Sequence, residues 1–142
     1  MSSEQNTAII RHAWEDRFNA RDLSVFSEYL APDFVFHCPE LEPTPEQILA
    51  AFPDYHYTLE DVLGVADKVI IRWSFRGTHQ GEIYGLAPTG KQVTTRGIEI
   101  DRFVDGKVVE AWAEWDVLGF LQQLGGLPSF SPAQASGLWA AR

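Results

Sequence analysis

The chain has 142 residues, 45% hydrophobic and 13% aromatic, with a formal net charge of −9. That length suits one domain spanning 1–142, and that apolar content excludes a disordered polymer. The acidic balance argues against nucleic acid and anionic membrane as partners, and no apolar run reaches membrane-spanning length.

Residues 4–20 read as an amphipathic helix with Ile9, Ile10, Ala13, Trp14 and Phe18 on one face. Asp22 can cap a short second helix that turns Leu23, Phe26, Tyr29 and Leu30 inward, and APDF breaks it. FVFHC reads as a short strand. In TPEQILAAFP, Thr44 is the expected cap, Pro45 the first helical residue and Gln47 the partner that closes a capping box, with Pro53 ending the helix. Strands follow in HYTLEDVLGV, DKVIIRWSFRGTHQG, KQVTTRGIEIDRFV and KVVEAWAEW, and the links AD and DG suit antiparallel neighbours. Asp116 precedes a short apolar helix, VLGFLQQLG, stopped by Gly125–Gly126. The tail from about 128 to 142 has no period and reads as loosely ordered or packed on a partner subunit. Helices first and an antiparallel sheet after them is an α+β layout, and a sheet curved around its helices can enclose a cavity.

GLAPTGKQ falls one residue short of a phosphate-binding loop. Gln92 stands where a hydroxyl should hold magnesium, Pro88 lacks an N–H, and no helix follows, so the stretch reads as a connection between strands. Alternation splits the third long strand into Thr94, Arg96, Ile98, Ile100, Arg102 against Thr95, Gly97, Glu99, Asp101, and the last into Val109, Ala111, Ala113, Trp115 against Val108, Glu110, Trp112, Glu114, Asp116. The face with Trp112 and the acids suits either a pocket with placed polar groups or a half-exposed sheet with cross-strand ion pairs. The four histidines show no metal-ligand spacing, and the lone Cys38 permits no internal disulfide, which fits a cytoplasmic protein. The N-terminus also lacks the apolar stretch of a signal peptide.

Residues 51–125 resemble the SnoaL-like polyketide cyclase (ester cyclase) family through FPD, RW, GTHQG, PTGK, DGKVVEAW, WD and QLG, in that order. The resemblance implies a cone-shaped α+β fold, like nuclear transport factor 2 and ketosteroid isomerase, with a curved sheet around an apolar pocket, and a homodimer through the sheet. It further implies intramolecular aldol chemistry on a small apolar or polyketide-like carbonyl compound, with no metal or organic cofactor. An aspartate near the end of the last strand does the proton transfer in the family, and Asp116 matches that position. His37 is the second catalytic candidate, lying between aromatics on its strand. Trp14, Phe18, Trp73, His79, Arg102 and Trp112 are the candidate substrate contacts. Each has a plainer reading: Asp116 as a helix cap, His37 as a core histidine, His79 as a turn-stabilising group and the aromatics as core. Where characterised cyclases carry Gln and His on the strand before the aspartate, residues 93–104 offer Arg96, Glu99, Asp101 and Arg102. An isomerase, dehydratase or epoxide hydrolase on the same fold, or a non-catalytic binding protein, is the alternative.

Overall fold

A computed structural model describes residues 2–130. The first helix, α1 (Ser3–Arg11), starts at a capping box in which Ser2 and Gln5 bond reciprocally. It then widens to π-type bonding over His12–Phe18, where the Asn19 N–H reaches back to the Trp14 carbonyl at 3.1 Å. One continuous apolar stripe therefore covers two helical geometries, burying Ile10, Ala13, Trp14 and Phe18. The short α2 (Val25–Tyr29) runs directly into β1 (Leu30–His37). Asp22 makes a local turn, accepting from the Ser24 N–H at 3.2 Å, and Ser24 is the residue at the cap. The second helix ends at Tyr29, just before APDF, as expected, but APDF is not itself irregular. It lies inside β1, where the pairing slips between Leu30 and Val35, a bulge that accommodates Pro32.

Thr44 and Gln47 form the expected capping box on α3 (Pro45–Ala51). Four long strands follow: β2 (His56–Val65), β3 (Lys68–Thr78), β4 (Gln92–Val104) and β5 (Lys107–Trp115). They pair antiparallel in sequence order, and β1 adds parallel to β5, giving the order β1-β5-β4-β3-β2. The DG link between β4 and β5 has positive φ at both residues, as its tight turn requires. The sheet curves around the helices without closing. GLAPTGKQ lies between β3 and β4, with no helix after it. The last helix, α4 (Val117–Gln123), packs Phe120 against Phe52 and Trp115. No helix among the described residues is long and apolar enough to cross a membrane. Most of the tail assigned above, from 131 on, lies outside the described residues.

Candidate active site

Alternation decides the inner wall. On β3 the buried set is Val69, Ile71, Trp73 and Phe75, and on β5 it is Ala111 and Ala113, with Trp115 half-buried. The register then carries Thr95, Gly97, Glu99 and Asp101 of β4 to the same concave side, because Trp73 pairs with Gly97 and Ile71 with Glu99. Above this wall sit Trp14 and Phe18 of the π-type turn, Phe26 and Tyr29 of α2, Phe34 and Phe36 of β1, and Ile48 and Phe52 of α3. Between wall and cover lies a cavity of about 290 Å³, with Glu42 and Pro43 in its lining from the β1–α3 connection.

The lining is apolar except for a few groups, and those few are unusual. Glu99 and Asp101, two apart on one strand, share a face. Asp101 is 1% exposed, and neither of its oxygens has a partner other than Glu99. Its cross-strand neighbours are Val69 and Ala111, while those of Glu99 are Ile71 and Ala113, so no cation compensates either acid. Burial pushes the Asp101 carboxyl up to about 6, partly offset by a hydrogen bond with Glu99. Burial, then the Asp101 charge and that same hydrogen bond, holds Glu99 well above the usual carboxylate range. The two shifts have the sense of a hydrogen bond donated by a protonated Glu99 to the Asp101 carboxylate, so the pair favours holding one proton between its members. Asp101 is sealed behind its neighbour, whereas Glu99 keeps part of its surface open. Burial also raises Glu42 to about 7, against a lowering by the Trp115 N–H.

Among the described residues seven buried side-chain polar atoms lack a hydrogen bond of normal geometry, and five line this cavity: both Asp101 oxygens, which face Glu99, the indole nitrogens of Trp14 and Trp115, which face Tyr29 and Glu42, and the indole nitrogen of Trp73. The Trp73 N–H alone among these faces no acceptor of the protein, and an unpaired buried donor costs about 1–3 kcal/mol. Among the described residues no three metal-ligating side chains come together to hold an ion.

The residues singled out from sequence fall in four places. Trp14, Phe18 and Trp73 line the cavity. His37, Arg102 and Trp112 lie together on the outer face of the sheet, which alternation dictates once Ala111 and Ala113 point inward. There the His37 ring stacks on Trp112 at 5.5 Å, its Nε2 is 2.7 Å from Glu110, and Arg102 donates to the same carboxylate at 3.1 Å. His37 and Arg102 hold Glu110 below the usual carboxylate range. Asp116 is exposed, follows β5, and accepts the Gly119 N–H at 2.9 Å as the cap of α4. Its polar groove, shared with Arg76, Arg96 and Gln123, is separate from the cavity. His79 is fully buried and accepts the Thr89 N–H at 3.2 Å, fixing the turn before β4, with Phe52 packed on its ring. The carboxyl pair inside the cavity, Glu99 with Asp101, is visible in the sequence as one alternating face, but the sequence alone does not show that this face is the concave one.

The chain matches the SnoaL-like polyketide cyclase family over residues 8–124. It is 31% identical to the aklanonic acid methyl ester cyclase DauD of Streptomyces sp. (strain C5) over 110 residues, 71% of this chain and 67% of that protein. Among solved structures, AclR of Streptomyces galilaeus, a proposed hydroxylase, is 33% identical with a TM-score of 0.82, covering 92% of this chain and 91% of its own. IdmH of Streptomyces antibioticus, a proposed polyketide cyclase, is 31% identical with a TM-score of 0.72, covering 85% and 99%.

Proposed function

The chain belongs to the SnoaL-like polyketide cyclase family, and from that premise we propose that it is an enzyme of proton transfer acting on a flat, largely apolar, polyketide-like carbonyl compound. One observation carries the reading: two carboxyls, Glu99 and Asp101, side by side with no cation paired to them across the sheet, in the wall of an otherwise apolar cavity.

Glu99 is the catalytic residue, because it is the member open to the cavity. When the shared proton moves to Asp101, the Glu99 carboxylate can take a proton from a carbon flanked by carbonyls. When the proton sits on Glu99, it can be given to the oxygen that receives the new bond. A pair that titrates near the working pH can do both, which a freely solvated carboxylate near its usual range does poorly. Asp101 is a positioning residue that stores the proton and raises its neighbour. For an internal aldol step, the carbanion closes on a second carbonyl of the same molecule, and mass is conserved.

The test is incubation with aklanonic acid methyl ester in deuterated buffer, read by mass spectrometry and NMR. Wild type is expected to exchange the acidic C–H for deuterium and to form an isomer whose mass differs from the substrate only by the deuterium taken up. Glu99→Gln should lower both rates by about 100-fold or more. Exchange that is absent, or equal in wild type and Glu99→Gln, refutes the assignment. The likeness to AclR favours a second reading, in which the same carbanion meets dioxygen. The carbanion gives its electron pair to dioxygen and, with one proton, becomes a hydroperoxide heavier by two oxygens, which can lose water to leave a carbonyl; deuterium exchange still depends on Glu99.

A further inference from the structure

On its concave side the sheet has a place where two tryptophans flank a residue with no side chain. Trp73 of β3 pairs with Gly97 of β4, and Gly97 pairs in turn with Trp115 of β5. A Cβ at position 97 would come within 2.6 Å of both Trp73 Cζ2 and Trp115 Cβ. Gly97 is therefore a notch into which the Trp73 ring and the base of the Trp115 side chain pack from either side. Both indoles line the cavity, and Glu99 is the next inward residue along β4.

Trp73 is 7% exposed, and its N–H has no acceptor from the protein. Its near neighbour Tyr57 packs at 5.5 Å with planes inclined at 61°, a contact that uses the ring rather than the hydroxyl. The Trp115 N–H faces Glu42 but without a hydrogen bond of normal geometry. If the Trp73 ring served packing alone, phenylalanine would fill the wall without burying an unpaired donor.

We propose that Trp73, with Trp115 beside it across Gly97, forms a donor subsite that holds an oxygen acceptor of the ligand, a carbonyl or a phenolic oxygen, next to Glu99. The subsite sets the orientation of a flat ligand: its acceptor edge lies over Gly97 and its remaining rings fill the apolar part between α2, β1 and α3. The inference concerns how the ligand is held, and it stands apart from what the carboxyl pair does to it.

The test uses 1-tetralone and tetralin, which share a carbon skeleton and differ by one carbonyl acceptor. Their affinities for wild type, Trp73→Phe and Trp115→Phe are measured by tryptophan fluorescence. Comparing the ratio of the two ligands between proteins cancels their different solubilities in water. The ratio in favour of 1-tetralone should fall about fivefold in Trp73→Phe, the worth of one hydrogen bond. A second readout needs no variant to fold well: in the wild-type indole N–H spectrum, 1-tetralone should move the Trp73 resonance while tetralin leaves it in place. An unchanged ratio in both variants, an indole resonance that moves equally with both ligands, or no binding of 1-tetralone at millimolar concentration overturns the proposal.

Discussion

Replacing Asp101 by Asn should make the protein more stable above pH 6 while removing its activity. Asp101 is buried between Val69 and Ala111 with no cation, so the folded state disfavours its charge. Its pKa rises from an ordinary 3.8 to about 6. At about 1.4 kcal/mol per tenfold change, that rise is worth about 3 kcal/mol against folding once the group is ionised in both states. A raised carboxyl binds protons more tightly when folded, so the penalty is absent below pH 3.8, grows through the interval and is complete above pH 6. Asparagine is isosteric and uncharged, and the Asp101 oxygens already lack partners beyond Glu99, so the amide inherits an environment little worse than before. Urea denaturation of wild type and Asp101→Asn, every half unit from pH 4 to 8, measures the difference. The expected curve is near zero at pH 4 and about 3 kcal/mol in favour of the variant at pH 7.5. A variant that is less stable at pH 7.5, or a difference that does not change with pH, would refute the reasoning that this aspartate is a strained charge. The combination of added stability and lost turnover is the mark of a residue kept for function.

Three further outcomes follow from the same coordinates. Glu42 adds its charge to the field that raises Glu99, and it is itself raised to about 7 by burial. The profile of kcat/KM against pH should therefore show an inflection near 7 that disappears in Glu42→Gln. Asp116→Ala should remove the 2.9 Å cap of α4, cost about 1 kcal/mol of stability and leave deuterium exchange into the substrate unchanged; a 100-fold loss of exchange would restore Asp116 as the acid. The outer sheet face exposes Ile98 at 50% and Trp112 at 36%, and we propose that a second copy covers it. Ile98→Glu should then convert a dimer to a monomer in sedimentation, and an unchanged mass would place the interface elsewhere.

Much of the fold could be read from periodicity because each signal had a local cause. Thr44, Pro45 and Gln47 specify a helix start through their own hydrogen bonds, and Asp105–Gly106 specifies a tight turn through its backbone. The widening of the first helix at His12 left no such mark, since the apolar stripe Ile10, Ala13, Trp14, Phe18 fits either helical geometry. The strand through APDF was missed for a related reason: proline argues against a strand locally, but β1 is an edge strand, where a missing N–H and a bulge are tolerated. The site was harder, because a strand presents two faces and the sequence marks both with charge. On β4 the arginines and the acids alternate, and only the partner strands decide which set faces inward. The all-apolar run Val69, Ile71, Trp73, Phe75 supplies that decision once the register is known.

The same parity explains why the last strand does not furnish the cavity acid. Inward positions on β5 are Ala111, Ala113 and Trp115, so the inward residue at its end is an indole, and Asp116 follows after the strand has finished. A carboxyl one residue along cannot reach the cavity without reversing every side chain of the strand. The two alanines have a complementary effect on the neighbouring strand: being small, they leave space beside β4 that Glu99 and Asp101 fill from across the pairing. The buried carboxyls of the cavity thus come from the strand next to the one where the family resemblance directs attention. The indole that ends β5 is left free to act as a wall and, with Trp73, as a donor.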